Sequence, residues 1–181
     1  MLKGKKVFLR SIRKNDINNL LKWCNDPEII QYMYLYLPTS EVAEEKWIDE
    51  IGSGKTGKDA IFVIEIRVKK QLVAIGICGI KKINWKDRNA EIGIIIGEKK
   101  YWHKGYGTEA LILLINYGFN QLNLHRLWAG IFGFNYGIIP MFEKIEFQKE
   151  GCLRSAIFKN GKYWDITILG LLKDKLLFKK E

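Results

Sequence analysis

Three prolines, three cysteines and two histidines are all that 181 residues hold of those types, and each scarcity removes a class of protein. Few prolines beside an apolar share of 48% exclude extensive disorder. Cys24, Cys78 and Cys152 are odd in number, scattered and without ligand spacing. They read as reduced thiols of a cytoplasmic protein, and no metal is expected. No apolar run reaches the roughly 18–20 residues of a membrane span, and the opening MLKGKKVFLR lacks the apolar core of a signal peptide. No membrane role is expected. The length suits a single domain, 1–181, large enough to bury a core without staples.

What the chain has in excess is positive charge, a formal +10. Such a surface can attract nucleic acid, an acidic protein or a polyanionic cofactor. The lysines are spread along the whole chain, and no recognition helix, zinc finger or aromatic RNA-binding signature goes with them. That argues against nucleic acid as a partner. The C-terminal LKDKLLFKKE reads as a solvated tail.

Apolar spacing predicts a mixed α/β chain. Val7–Ile12 alternates like an opening strand. Asn15 and Asp16 then cap a helix carrying Ile17, Leu20, Leu21 and Trp23. Asp26-Pro27 starts a second short helical stretch ending near Tyr32, residues 33–40 form an aromatic loop, and Ser40 opens a helix over 41–51. Strands follow at 60–68, 71–83 and 90–96, a helix at 108–120, and a strand at 126–133. A short helix at 137–144 and strands at 151–158 and 163–172 complete the pattern. Gly76 and Gly79 weaken the second of these strands unless a bulge or a close neighbour requires them.

The most informative stretch is NAEIGIIIGEKKYWHKGYGT, residues 89–108. An apolar strand runs into a basic turn with Gly105 and Gly107, and a helix then begins. Unpaired N–H groups and the positive end of the dipole collect at such a helix start. Glycines let the backbone curl around an anion, and Lys99, Lys100, His103 and Lys104 add charge. A pyrophosphate grip and plain turn glycines both fit this stretch. It lacks the third glycine and the later acidic residue of a dinucleotide fingerprint. Gly52-Ser53-Gly54-Lys55-Thr56 imitates the end of a P-loop, but Asp49 stands where its first glycine is required and a helix precedes it. It reads as a flexible turn.

Strand, glycine turn, helix, strand, Asn-containing turn and short helix in this order resemble the GCN5-related N-acetyltransferase (GNAT) family. Within it the chain is similar to the branch of ribosomal-protein N-terminal and spermidine acetyltransferases. The likeness runs from KKVFLRSIRKNDINNLLKWCNDPEI through WHKGYG to LNLHRLWAGIFGFNYGIIPMFEKIEF and EGCLRSAIFKNGKYWDITILG. It implies one GNAT-type domain of α/β class, with a mixed central sheet splayed between its fourth and fifth strands and flanked by helices. Acetyl-CoA would enter that wedge, its pantetheine pairing with the backbone of Ile94, Ile95 and Ile96. The pyrophosphate would rest on the amides of Trp102, His103, Lys104, Gly105, Tyr106, Gly107 and Thr108. Asn135 matches the family asparagine that touches pantetheine; a helix cap is its other reading.

Acetyl transfer to an amine requires a base for the amine, a donor for the thioester carbonyl and an acid for the thiolate. Glu91, opening the strand into the wedge, is the candidate base, and a backbone N–H near Ile95 the candidate donor. The family often places a tyrosine where Phe142 stands, and phenylalanine donates no proton. Tyr136 is the substitute candidate. Glu146 replaces the usual turn glycine, and Pro140 is unusual within a short helix. Neither Cys78 nor Cys152 has a His or Asp partner in sequence for a covalent route. Tyr32, Met33, Tyr34, Leu35 and Tyr36, with Trp85 and Asp87, would wall the acceptor site and favour a protonated amine through cation–π attraction.

The expectation is a cytoplasmic acetyl-CoA-dependent N-acetyltransferase acting on a small-molecule amine, a polyamine or a protein N-terminus. Its alternatives are a catalytically weakened acyl-CoA-binding module and a ribosome- or nucleic-acid-associated basic protein. Edge strands in such folds leave room for a homodimer.

Overall fold

The computed structural model describes residues 1–54 and 57–175. Lys55 and Thr56 of the P-loop-like turn, and 176–181 of the C-terminal tail, lie outside the described residues. Among the described residues, eight strands form one sheet in the order β1-β2-β3-β4-β5-β6-β8-β7. They are β1 (Leu2–Lys3), β2 (Val7–Ser11), β3 (Ala60–Val68), β4 (Gln71–Asn84), β5 (Asn89–Ile96), β6 (Arg126–Phe132), β7 (Gln148–Lys159) and β8 (Lys162–Leu172). Neighbours run antiparallel except β5 and β6, which are parallel. The helices are α1 (Ile17–Cys24), α2 (Pro27–Ile30), α3 (Glu41–Ser53), α4 (Tyr106–Asn120) and α5 (Ile139–Glu143).

Strand alternation divides the core between the two faces of the sheet. On one face Leu9, Ile64, Ile80 and Ile92 meet Leu111, Leu114, Ile115 and Phe119 of α4. On the other, Ile12, Val63 and Ile77 meet Leu20, Trp23, Ile29 and Ile48 of α1–α3. Each fully buried side chain of this size contributes roughly 1.5–3 kcal/mol, so both helical layers are held chiefly by apolar burial.

The expected cap of α3 is present: Ser40 Oγ accepts the Ala43 N–H at 3.2 Å. Asp26 does the same for α2, accepting the Glu28 N–H at 2.9 Å with Pro27 in the first turn. Asp16 does not cap α1 from its N-cap position; its carboxylate instead closes a capping box on the 3-10 turn just before α1. Its carboxylate takes two hydrogen bonds of 2.7 Å from the Arg10 guanidinium and one of 2.7 Å from the Arg13 N–H. Arg10 also donates to Glu65 at 2.7 Å, so one buried cation ties β2, β3 and the turn before α1. Burial alone would raise the Asp16 pKa, but the hydrogen bonds from Arg10 and Arg13 outweigh it and hold the carboxyl below its ordinary range.

Gly76 has both a bulge beside it, where Ile64 faces Gly76 and Glu65 faces Ala74, and a close neighbour. A Cβ there would stand 2.1 Å from the Ile95 carbonyl oxygen, so only glycine lets β4 lie this close to β5. Gly54 ends α3 in the left-handed conformation, φ 62°, an ordinary helix stop and not a phosphate loop.

Candidate active site

The parallel pair β5–β6 holds together for three residues only: Asn89, Ala90 and Glu91 face Arg126, Leu127 and Trp128. Beyond Glu91 the two strands part, while β5 stays paired with β4 to Ile96. The sequence-based expectation placed this splay between strands four and five; the extra two-residue β1 makes them the fifth and sixth. Ladder groups on the inner edges of β5 and β6 are thereby left without a strand partner, a backbone edge suited to an amide-bearing arm.

A cavity of about 300 Å³ occupies the parting. Its walls come from both faces of the sheet: Ile92, Ile94, Ile138 and Phe142 from the α4–α5 side, and Met33, Trp47, Ile77 and Ile95 from the α1–α3 side. It is therefore a passage through the sheet. Glu91, Asn135, Tyr32 and Tyr34 line it too.

At one end β5 runs into the glycine turn. Gly97 has the Trp23 ring where a Cβ would sit, 2.2 Å away, so the missing side chain lets α1 pack under the turn. Trp23 Nε1 donates to Glu98 at 3.1 Å, and Lys22 pairs with the same carboxylate. Burial would raise the Glu98 pKa, but the bonds from Lys22 and Trp23 lower it. Trp102 Nε1 donates to the Ile96 carbonyl at 2.7 Å, which folds the turn back onto the strand end. Gly105, at φ 81° and with open space around it, is the N-cap of α4 and supplies no side-chain cap. The first helical bond runs from Glu109 N–H to Gly105 O at 3.1 Å. The N–H groups of Tyr106, Gly107 and Thr108 therefore lack helical partners and sit at the positive end of a 15-residue helix. The helix starts two residues earlier than its apolar spacing implies, because a left-handed glycine can cap where no Ser or Asp stands.

The four cations around this turn are not equivalent. Lys99 is turned away, bound to Asp26 at 2.9 Å and Glu28 at 3.2 Å, and these hydrogen bonds raise its pKa. Lys100 and Lys104 lie over the Tyr101 ring at 5.1 and 5.7 Å. His103 is exposed and left-handed at φ 57°.

Glu91 lies where the strands part, 5% exposed, at the cavity wall. Lys82 Nζ stands 2.7 Å from its Oε2 and Lys81 Nζ 3.9 Å from its Oε1. The Lys82 contact is an ion pair without hydrogen-bond alignment, so Oε2 accepts no hydrogen bond. Tyr34, 46% exposed, packs edge-on against Phe132 with centroids 4.7 Å apart. Burial first, and then the negative charge of Glu91, raise its hydroxyl pKa. Lys159 of β7 fixes the aromatic loop, donating to the carbonyls of Ile30 at 3.1 Å and Leu35 at 2.9 Å. Desolvation lowers its pKa.

Several expectations need correction. Tyr136 does not reach the cavity; it is 72% exposed, directed outward one residue after Asn135. Tyr36 is 68% exposed and lies beside Lys159, 5.5 Å from ring centroid to Nζ, outside the lining. Trp85 is also outside: its indole N–H donates to Gly57 O at 2.7 Å in the turn before the closed end of β5. Asp87 is bound to Asn84 in that same turn. Asn135 lines the cavity and caps neither α5 nor the 3-10 segment that contains it. Phe142 is 2% exposed and edge-on to Phe147, so no hydroxyl stands at that point of the wall. Burial pushes the Cys24 thiol up to about 12 and Cys78 higher still, the opposite of what a nucleophile needs. Sequence reasoning missed Lys81, Lys82 and Lys159 as members of this neighbourhood. Only the Lys81-Lys82 doublet was visible, and nothing marked its direction.

Among described residues no group of three or more His, Cys, Asp or Glu could hold a metal, and no helix is long and apolar enough to cross a membrane. The family model for the acetyltransferase (GNAT) domain matches residues 6–148. An uncharacterized N-acetyltransferase of Bacillus licheniformis is 32% identical over 168 residues, 93% of each chain. The spermidine N(1)-acetyltransferase of Vibrio cholerae is 27% identical over 97% of this chain and 98% of its own. The crystal structure of a spermidine N-acetyltransferase from Vibrio cholerae in complex with CoA and spermine superposes with a TM-score of 0.87. It is 25% identical and covers 95% of this chain and 98% of that one.

Proposed function

Because the chain belongs to the GNAT acetyltransferase family and is an acetyl-CoA-dependent N-acetyltransferase, we propose that it moves the acetyl group directly to a primary amine in the β5–β6 cavity, with Glu91 as base. One observation carries the assignment of place. The only parallel strand pair among the described residues parts at the buried carboxylate, and the parting leads to the uncapped start of α4.

The residues fit acetyl-CoA in two respects. The Tyr106, Gly107 and Thr108 N–H groups follow a left-handed glycine whose surroundings are open, as a pyrophosphate requires, whereas the expected Trp102 amide is taken, donating to Lys99 O at 3.0 Å. The inner edge of Ile94, Ile95 and Ile96 offers ladder groups to a pantetheine arm, the Ile96 carbonyl also accepting from Trp102 Nε1, and Asn135 lines the same cavity. When bound, the thioester supplies the acetyl carbon under attack. Glu91 takes the proton that the attacking nitrogen sheds, directly or through water. A backbone N–H near Ile95 stabilises the carbonyl oxygen as charge gathers there. The carbon–sulfur bond breaks as the carbon–nitrogen bond forms, and the thiolate takes its proton from solvent, since Phe142 has none to give. Holding amine and thioester together supplies much of the rate without an acid. Tyr32 and Tyr34 form the acceptor side.

The reading covers the chain as one domain acting in the cytoplasm, where its three unpaired thiols stay reduced. It leaves β7, an outer strand of the sheet, available for pairing two copies into a homodimer. The buried Phe142 favours one second reading, a binding module with weakened turnover. The test is CoA release from acetyl-CoA by the purified chain across monoamines, polyamines, aminoglycosides and short peptides. Release with one amine class supports the enzyme; tight binding without release with any amine supports the module.

A further inference from the structure

The acceptor side of the cavity has a charge pattern that narrows the amine. Glu91 is the sole acid among its described lining residues. In a regular strand, successive side chains point to opposite faces, yet Lys81 and Lys82 both reach Glu91, at 3.9 and 2.7 Å. The reason is a bulge: the β4–β5 register shifts between Lys81 and Asn84, and Lys82 sits at φ 52°. Bulges of this kind re-aim side chains next to sites. Asp59 fixes the bulge by accepting the Lys82 N–H at 2.9 Å.

Counting Glu91 against Lys81 and Lys82 leaves one positive charge in excess before any acceptor arrives. The loop above has no carboxylate to offset it, reading Gln31-Tyr32-Met33-Tyr34-Leu35-Tyr36-Leu37-Pro38. Asp26 and Glu28, the nearest acids before that loop in sequence, are engaged by Lys99. Met33, Tyr34, Leu35, Trp47 and Phe132 instead give the amine's substituent an apolar surround. A second or third ammonium would enter this surround unpaired, with Lys81 on the cavity wall and Lys82 beside it at Glu91, and burying an unpaired charge is costly.

We propose that the acceptor is a monoamine carried on an apolar body, and that the lysine pair at the β4 bulge selects against polyamines. The proposal rests on the acetyl-transfer reading above. It sets this chain apart from the spermidine acetyltransferases it is similar to.

The experiment compares kcat/KM for 2-phenylethylamine and spermidine in CoA release by the full chain at low salt, with acetyl-CoA affinity measured separately by calorimetry. The expected result is a preference for 2-phenylethylamine of about tenfold or more, which corresponds to about 1.4 kcal/mol. The double charge reversal Lys81→Glu, Lys82→Glu should move that ratio toward spermidine by about tenfold at unchanged acetyl-CoA affinity. If charge reversal unfolds the chain, Lys81→Gln with Lys82→Gln reads the same ratio with a smaller shift. A preference for spermidine, a ratio that the lysine substitutions leave in place, or no release with 2-phenylethylamine while acetyl-CoA binds would each overturn the proposal. Absence of acetyl-CoA binding would instead remove the acetyl-transfer reading on which it rests.

Discussion

The two ends of the cavity are made of different material. Toward α4 the site is backbone: the free inner edge of β5, the N–H groups of Tyr106 to Thr108, and Gly105 in a conformation that side chains disfavour. Under the 31–38 loop it is side chains: Tyr32, Met33, Tyr34 and Leu35, with the carbonyls of Ile30 and Leu35 anchored by Lys159. A backbone site takes any sequence that keeps the turn, so it suits the reactant every member of the family shares. A side-chain site changes with each substitution, which is what choice of acceptor needs. Glu91 stands between the two, at the last paired position of β5 and β6.

Substitutions can separate the two ends. The largest effect should come at the junction. Glu91→Gln is expected to lower kcat by roughly 10²–10⁴-fold while acetyl-CoA affinity stays within about twofold, as read by CoA release and calorimetry. Equal turnover in that variant would remove Glu91 as base. At the backbone end, Gly105→Val forces a branched side chain into left-handed geometry at a cost of about 1–2 kcal/mol. Acetyl-CoA should then bind about tenfold more weakly, with the selectivity among amines unchanged.

At the side-chain end, Lys159→Met loses both carbonyl contacts and frees the aromatic loop. KM for the amine should rise severalfold with acetyl-CoA affinity intact, a split that titrations of the two substrates resolve. The smallest effect concerns the support of that same face. Asp16 has a depressed pKa in the folded chain, so its stabilisation is complete above the unfolded carboxyl value, about 3.9. It is lost as pH falls through the lower folded value. Urea midpoints should therefore fall below about pH 4, and the fall should be shallower in Asp16→Asn. A midpoint that falls equally in both chains would assign the acid sensitivity to other carboxylates.

Much of the first end was legible in the sequence because its signals are local. A strand, two glycines and a helix within 20 residues carry their own geometry, and the family likeness rests on the same stretch. Apolar spacing puts Ala110, Leu111, Leu114, Ile115, Tyr117 and Gly118 on or near one face of this helix, and all of them but the half-buried Tyr117 are buried. Ser40 and Asp26 cap the helices that their positions announced. At the second end the signals are not local. Tyr32 and Tyr34 line the cavity while Tyr36, two residues on, does not, because the loop curls toward Lys159, 123 residues away in sequence. Tyr136 points outward though Asn135 lines the wall, since adjacent side chains in a tight helical turn diverge.

Composition, periodicity and one glycine turn by themselves determined the mixed α/β class, the order of elements and the place of a helix start with unpaired N–H groups. Each depends on dihedral preferences and apolar spacing that neighbouring residues share. Only the tertiary structure decided that Lys81 and Lys82 converge on Glu91, that Arg10 joins the Arg13 N–H on the Asp16 carboxylate, and that Trp85 turns away. Those outcomes depend on strand register, a bulge and burial, quantities set by distant parts of the chain packing together.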